Sequence, residues 1–252
     1  MKNRNKNNLI KSFLLMIVAI SFIACTSTKE QKDDQEQVGQ EKTIEFPKFS
    51  AESHRGGRGV MPENTIEAML YSLSLDYITT LEMDIHVTAD KKLALSHDPH
   101  LNPKFILKPD GSEIDKEDSK KYAIHQMTYD EIKEFDAGSK EYKNYPEQKK
   151  MKVSIPLLDD VFDAVQNYIK ENGREQVFYN IETKSTEAKD GVLNSEPEEF
   201  VKLLMEVIEE KDVAPYVVIQ SFDPRTLRIL HEEYPHIMTS YLVGPSRMKD
   251  FF

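Results

Sequence analysis

The chain has 252 residues and a formal net charge of −11, with 33 lysine and arginine residues against 44 aspartate and glutamate residues. This length suits one large domain with a substantial core, whereas so acidic a composition lacks the basic surface on which nucleic-acid binding depends. We therefore expect no nucleic-acid partner, and local positive charge must provide any phosphate binding.

The first 24 residues have the pattern of a secretory signal peptide. Basic residues precede an apolar run, Phe13–Ile23, that is too short to cross a bilayer comfortably. The run ends in Phe22-Ile23-Ala24-Cys25, which resembles a bacterial lipoprotein processing site, although Phe22 departs from the usual leucine. We expect export to the periplasm or cell envelope, with the chain held at the membrane by a lipid on Cys25. A buried free cysteine or an uncleaved anchor is the alternative.

The rest of the chain divides into a tether and a folded domain. Residues 25–45 are predicted to be a disordered tether, because they are too poor in apolar side chains to offset the entropy lost on ordering. Residues 46–252 alternate short strand-like runs with amphipathic helices, which predicts a parallel sheet. No Gly-x-Gly-x-x-Gly or P-loop pattern follows a strand, so we favour an α/β fold of the TIM-type (β/α)8 barrel kind over a nucleotide-binding open sheet.

About six of the eight barrel strands are recognisable: Phe49–Ser53, Thr80–His86, Lys92–Ser96, Gln176–Thr183, Tyr216–Ser221 and Met238–Val243. Three helix starts carry capping signals. Ser195 precedes Glu196-Pro197-Glu198, Asp223 precedes Pro224, and Thr128 is followed three residues later by Glu131. The last signal opens a short helix inside a long insert, residues 99–152.

Carboxylates collect at the predicted carboxyl ends of the strands, where TIM-type barrels place their chemistry. Glu82 and Asp84 alternate onto one face of the second strand, and Glu182 repeats the arrangement later in the chain. Three carboxylates suit one hard divalent cation, Ca²⁺ or Mg²⁺, that keeps positions open for water and phosphate oxygens. A solvated edge strand with its charges facing outward is the alternative.

Histidines and cations complete this candidate site. His54 and His97 both follow strand-like runs, and imidazoles transfer protons near neutral pH. Arg55 has the geometry to bind phosphate oxygens, whereas Lys184 offers either a point charge for phosphate or a structural salt bridge to a carboxylate. The other five histidines are interpreted as surface or packing residues, although His86 shares the face of the carboxylates.

Six motifs follow one another along the chain: His54-Arg55-Gly56, Pro62-Glu63-Asn64-Thr65, Glu82-x-Asp84-x-x-x-Thr88-x-Asp90, Ser96-His97-Asp98, Ile181-Glu182-Thr183-Lys184 and Gln220-Ser221-Phe222-Asp223. In this order and spacing they resemble the glycerophosphodiester phosphodiesterases over about residues 53–243. The resemblance implies a barrel that hydrolyses glycerophosphodiesters, which are deacylated phospholipids, to glycerol 3-phosphate and an alcohol.

The same resemblance implies a role for each site residue. His54 and His97 would be the acid/base pair, Arg55 and Lys184 the phosphate ligands, Glu82, Asp84 and Glu182 the ligands of one divalent cation, and Glu63 the support of the His54-Arg55 pair.

The chain departs from this family at its C-terminal end. It stops soon after the sixth strand-like run and contains no tryptophan, whereas the family usually places one on the last strand near the glycerol pocket. We therefore expect a barrel truncated by about two βα units. A weakly active or non-catalytic remnant that binds phosphodiesters as a surface lipoprotein is one alternative to the exported phosphodiesterase. A phospholipase D-like enzyme acting on lysophospholipids is another. Head-group preference and oligomeric state stay open.

Overall fold

The computed structural model describes residues 44–244. The predicted signal peptide, Cys25 and most of the predicted tether lie outside these residues, as does the segment 245–252. Between residues 44 and 244, none of the helices has the length and apolar character needed to cross a bilayer.

The described residues form one six-stranded sheet. Its strands are β1 (Glu52–Ser53), β2 (Thr80–Val87), β3 (Leu93–Leu95), β4 (Phe178–Thr183), β5 (Val217–Ser221) and β6 (Met238–Tyr241). All except β3 run parallel, in the order β1-β2-β4-β5-β6, with helices in the connections. This arrangement confirms the predicted α/β fold of the TIM-barrel type, with part of the strands present.

Strand β3 is not one of the parallel barrel strands. It pairs antiparallel with the end of β2, with Val87 opposite Leu93 and Ile85 opposite Leu95. A tight turn joins the two strands, closed by a hydrogen bond from the Thr88 backbone N–H to the Lys92 carbonyl of 2.9 Å. So short a connection permits only antiparallel pairing, because a parallel pair needs a long crossover. The predicted strand Lys92–Ser96 is therefore the return arm of a hairpin.

Five α-helices lie within the described residues: α1 (Ile66–Leu73), α2 (Tyr129–Ile132), α3 (Leu158–Asn172), α4 (Pro197–Glu210) and α5 (Pro224–Glu233). The capping box of Thr128 and Glu131 and the Asp223 cap are confirmed. The predicted Ser195 cap is wrong, because the N-cap residue of α4 is Glu196, directly before Pro197 and without a side-chain capping bond, and the Ser195 hydroxyl is buried without a hydrogen-bond partner. Proline is favoured at the first helical position, and this moves the cap one residue on.

The two faces of β2 divide between core and site. Leu81, Met83 and Ile85 are fully buried and belong to the main apolar cluster, which also includes residues of α1, α3 and α4. Because side chains alternate along a strand, Glu82 and Asp84 point to the other face of the sheet, away from the main apolar cluster. The apolar packing on one face therefore fixes the direction of the carboxylates on the other.

The insert, residues 99–152, is a packed unit rather than a loose loop. Leu101, Ile106, Ile124 and Ile132 are buried in a second apolar cluster. The insert also contacts the segment after β1, because Gln148 Nε2 donates to the Arg58 carbonyl at 2.6 Å and the Arg58 guanidinium lies 4.4 Å from the centre of the Tyr145 ring. The insert thus supports the loop that carries His54 and Arg55.

Candidate active site

Three buried carboxylates meet on the inner face of the sheet. Asp84 on β2 is the register partner of Glu182 on β4, and Glu82 lies on the same face of β2. One oxygen of each of the three lies within 4.8 Å of the others. Every residue of β2 is buried, and β1 and β4 flank this strand on its two sides, so the alternative of a solvated edge strand is excluded. The grouping predicted from the alternation is present.

Polar neighbours orient two of these carboxylates. Glu82 accepts hydrogen bonds from the Arg55 backbone N–H at 2.8 Å and from Gln220 Nε2 at 3.1 Å. Asp84 Oδ2 accepts from Asn64 Nδ2 at 2.9 Å. In contrast, Asp84 Oδ1 is buried and has no hydrogen-bond partner among the described atoms, although Lys184 Nζ lies 3.6 Å from it.

The pKa values of the carboxylates respond to crowding and burial. Burial, together with the charge of Asp84, raises the pKa of Glu82 to about 8. Burial also acts to raise the pKa of Asp84, but the charges of Lys184 and Arg55 outweigh it and hold that pKa below its usual value. Negative charge at Glu82 therefore needs a further positive partner, because like charges held close together in a buried site disfavour ionisation.

A hard divalent cation fits this donor set. Oxygens that share a Ca²⁺ or Mg²⁺ ion at about 2.0–2.6 Å lie within about 5 Å of one another, and the three carboxylate oxygens here satisfy that limit. Asp84 Oδ1 has the remaining acceptor capacity that such a ligand requires. All three donors are oxygens, which suits both of the expected ions.

The chain makes a strained turn directly after β1, and this turn points the side chains of His54 and Arg55 in different directions. Arg55 has a φ of +52° and Gly56 a φ of +71°, and a Cβ on Gly56 would lie 2.8 Å from Ala68 Cβ. Only glycine tolerates this contact and this backbone at position 56. The turn leaves the His54 side chain 59% exposed, with Nε2 4.0 Å from Glu82 Oε2, while the Arg55 side chain turns inward.

Glu63 contacts Arg55 directly. Arg55 Nη1 donates to Glu63 Oε1 at 2.8 Å, and Arg55 Nε lies 3.1 Å from Asp84 Oδ2 at ion-pair distance but without hydrogen-bond alignment. Arg58 approaches the other oxygen of Glu63 at 3.4 Å. Glu63 thus contacts the His54-Arg55 pair through the arginine, and its supporting role stays a prediction. Partial burial, followed by the charges of Arg55 and Arg58, lowers the pKa of His54.

The hairpin of β2 and β3 brings His97 to the same site. The Ser96 backbone N–H donates to the Asp84 carbonyl at 3.0 Å, so the chain leaves β3 beside the carboxylates. His97 Nδ1 lies 3.0 Å from Asp98 Oδ1, and this hydrogen bond is the main reason that the pKa of Asp98 falls to about 2. A carboxylate on Nδ1 orients the imidazole ring and leaves Nε2 for other chemistry.

Lys184 lies among the carboxylates. Its Nζ is 2.7 Å from Glu182 Oε1 as well as 3.6 Å from Asp84 Oδ1. The salt bridge considered from the sequence is therefore formed, and a role in binding phosphate stays a prediction. In both interpretations this ammonium offsets part of the negative charge of the carboxylate cluster.

Four residues that neighbour the site were not predicted from the sequence as site residues. Asn64 and Gln220 orient carboxylates, and Asp98 bonds His97. His86 is a buried packing residue with Nε2 3.4 Å from the His97 carbonyl, and burial lowers its pKa to about 4. Gln220 is the register partner of Glu182, so the alternation along β5 was a usable signal for it. Asn64 and Asp98 lie in loops, where no periodicity applies.

Comparisons with known proteins place these motifs in a family. The model of the glycerophosphoryl diester phosphodiesterase family matches residues 54–250. A glycerophosphodiester phosphodiesterase of Bacillus altitudinis is 30% identical over 191 residues, which are 75% of this chain and 64% of the relative. One from Bacillus subtilis (strain 168) is 26% identical over 249 residues, 96% of this chain and 73% of the relative.

Solved structures agree with the fold. A structure from Silicibacter pomeroyi DSS-3 has a TM-score of 0.68 and 27% identity, and the match covers 79% of this chain and 65% of that protein. A phosphodiesterase structure from Oleispira antarctica has a TM-score of 0.58 at 22% identity, covering 81% of this chain and 70% of that one. The match covers just under two thirds of the Bacillus altitudinis and Silicibacter pomeroyi proteins, at 64% and 65%, and 73% and 70% of the other two. By its motifs, its fold and the family model, the chain belongs to the glycerophosphoryl diester phosphodiesterase family.

Proposed function

We propose that this chain hydrolyses glycerophosphodiesters to glycerol 3-phosphate and an alcohol. The observation that carries the proposal is the convergence of two histidines, an arginine and a lysine on three buried carboxylates at one end of the parallel sheet. Two bacterial relatives named glycerophosphodiester phosphodiesterase support it. The Oleispira antarctica phosphodiesterase was solved with the product sn-glycerol-3-phosphate, which supports the same substrate class here.

Glu82, Asp84 and Glu182 would hold one divalent cation, Ca²⁺ or Mg²⁺. When bound, such an ion polarises a phosphate oxygen and offsets negative charge that develops in the transition state. Arg55 and Lys184 flank the same carboxylate, Asp84, at 3.1 Å and 3.6 Å. The guanidinium and the ammonium would provide positive partners for the oxygens of a bound phosphodiester.

The two histidines have environments that suit opposite roles. Partial burial, followed by the charges of Arg55 and Arg58, lowers the pKa of His54, so a neutral imidazole there accepts the proton of the attacking hydroxyl or water. The hydrogen bond between His97 Nδ1 and Asp98 orients the other imidazole, so we assign to His97 Nε2 the transfer of a proton to the leaving alcohol oxygen. One proton is accepted and one donated in each turnover, and the pair returns to its starting state after exchange with water.

The direct test is release of glycerol 3-phosphate from glycerophosphocholine by the purified chain lacking its signal segment, with Ca²⁺ or Mg²⁺ present. We expect turnover that stops when the metal is chelated and resumes when it is restored. Retained metal binding without product would instead favour the alternative of a non-catalytic phosphodiester-binding protein.

A second candidate activity acts on intact lipid head groups. A human lysophospholipase D is 36% identical over 87 residues, which are 34% of this chain and 27% of that protein. Lysophosphatidylcholine supplied in place of glycerophosphocholine tests this candidate. Release of choline from the lysolipid at a higher kcat/KM than from the deacylated diester would favour it over the main proposal.

We also propose that the chain is exported and held at the cell envelope by a lipid on Cys25, with residues 25–45 as the tether. The basic and apolar signal pattern that ends in Cys25 supports this location. Labelling with a fatty-acid analogue should mark the wild-type chain and leave Cys25→Ser unlabelled. Equal labelling of both would contradict the anchor.

A further inference from the structure

A cavity of about 120 Å³ adjoins the candidate active site on the side of His97 and Lys184. Its lining includes these two residues and Glu182. The segment after β4 contributes further lining residues, among them Lys189 and Asn194. A substituent of the phosphodiester that enters this cavity therefore meets the loop of residues 184–196, which we call the β4–α4 loop.

One lysine in the lining of this cavity lacks an ion-pair partner among the described residues. Among the lining residues, Lys184 is already paired with Glu182 at 2.7 Å. Lys189 is exposed, and its ammonium makes no ion pair or hydrogen bond with any residue between 44 and 244. Burial lowers the pKa of His100, and the charge of Lys189 lowers it further, so the field of this ammonium extends over neighbouring groups. The chain as a whole is acidic, whereas the lining of this cavity contains one carboxylate, Glu182, and two ammonium groups, Lys184 and Lys189.

The backbone that carries Lys189 is held in place. Arg225 Nη1 lies 2.6 Å from Asp190 Oδ2, and Arg225 Nη2 lies 2.6 Å from Asp223 Oδ2, which ties the β4–α4 loop to the start of α5. Asn194 Nδ2 donates to Asp190 Oδ1 at 2.7 Å from within the loop. Because its immediate neighbour is anchored twice, Lys189 is presented to the cavity from a fixed position.

We propose that Lys189 makes the enzyme prefer glycerophosphodiesters whose alcohol head group carries a carboxylate or another anion. The inference rests on the proposed function and adds a substrate preference to it. An ammonium without a partner gains a charge-assisted hydrogen bond from an anion, gains less from a neutral hydroxyl, and repels a cationic head group. Glycerol is uncharged and common to every substrate, so this charge discriminates only through the other substituent.

Two substrates that differ only by a carboxylate test the proposal. Glycerophosphoserine and glycerophosphoethanolamine share the phosphodiester, the glycerol and the amine. With the metal-loaded chain, we expect kcat/KM for the serine diester to exceed that for the ethanolamine diester by about threefold or more, the range of an exposed charge pair. Because the pair is exposed, 0.5 M NaCl should reduce the ratio by about half.

Three variants separate the pocket charge from general effects. In Lys189→Met the serine to ethanolamine ratio should fall to about one, and in Lys189→Arg it should stay near the wild-type value. Lys170→Met removes a lysine from the exposed surface of α3 and serves as the matched control, so its ratio should not change.

Each outcome decides the proposal. Turnover of both diesters with no serine preference, or a preference that survives in Lys189→Met, overturns the role of Lys189 and leaves the proposed function intact. Absence of turnover on every diester overturns the proposed function and the preference with it. An equal drop in Lys170→Met would assign the effect to overall charge and overturn the pocket assignment.

Discussion

Arg55 and Glu63 form a buried ion pair with 2.8 Å between Nη1 and Oε1, and their side chains are 9% and 4% exposed. Glu63 belongs to the segment before α1, and Arg55 to the turn after β1, so the pair closes the loop that presents His54. Loss of Glu63 is costly, because the buried charge of Arg55 then keeps Asp84 but loses the carboxylate to which its Nη1 donates.

Replacing Glu63 should therefore damage both stability and substrate binding. We expect Glu63→Gln to lower the free energy of unfolding by about 2–3 kcal/mol and to raise KM, because Arg55 loses the contact that orients its guanidinium. Urea unfolding and steady-state kinetics measure the two effects. The exposed Glu171→Gln on α3 is the control. Unchanged KM in a stably folded Glu63→Gln would contradict the supporting role.

His97 should be needed for turnover and not for folding. Its side chain is 36% exposed, so its loss leaves no large cavity. We expect His97→Ala to reduce kcat by about 100-fold or more, the usual contribution of a positioned acid or base, while the chain still folds and its unfolding midpoint falls only by the loss of the hydrogen bond to Asp98. Activity near that of the wild type would remove His97 from the mechanism.

The carboxylate cluster predicts stabilisation by divalent cations. Ca²⁺ or Mg²⁺ at about one hundred times its Kd should raise the free energy of unfolding by about 2.7 kcal/mol. Asp84→Asn should abolish that increase, because it removes the charge of the ligand that has an unpaired buried oxygen. Asp163→Asn, on the surface of α3, is the control and should keep the increase. Thermal unfolding with and without metal gives the answer, and a metal-induced shift that persists in Asp84→Asn would argue for a different site.

The hydrogen bond between His97 and Asp98 predicts an acid-dependent difference in stability. The pKa of Asp98 falls to about 2 in the folded chain, below the ordinary value of 3.8. A lowered carboxyl pKa stabilises the fold fully above the unfolded value, and the contribution is lost as pH falls through the folded value. Wild type should thus lose more stability than Asp98→Asn between pH 4 and pH 2. Parallel unfolding curves for the two proteins over this range would refute the shift.

Arg174 should stabilise the fold without affecting chemistry. Its guanidinium donates to the carbonyls of Leu73, Leu75, Asp76 and Ile78, which close the connection between α1 and β2. We expect Arg174→Ala to cost about 2–3 kcal/mol, because several carbonyls lose a charged donor. Arg228→Ala on the exposed surface of α5 should cost less than about 0.5 kcal/mol. Equal unfolding midpoints for the two variants would contradict the assignment.

The sequence was most informative about the strands, because side chains there alternate between the two faces of the sheet. Glu82 and Asp84 share a face because strands alternate, and Glu182 joins them because β2 and β4 pair in register. The run Leu93-Ala94-Leu95 fits a strand of either direction, so its antiparallel pairing depended on the short turn rather than on its own pattern. Asn64 has a φ of +57°, and its hydrogen bonds to Asp84 arise from loop geometry that no spacing rule describes.

Because β3 pairs antiparallel with β2, part of the site also comes from residues that are close together in the sequence. Glu82, Asp84 and His97 belong to one hairpin, closed by the bond from the Ser96 N–H to the Asp84 carbonyl. Contacts of short sequence separation form with a small loop-closure cost and do not depend on distant strands. Changes in the length of the insert, which begins after this hairpin, can therefore accumulate among relatives without shifting the histidine relative to these two carboxylates.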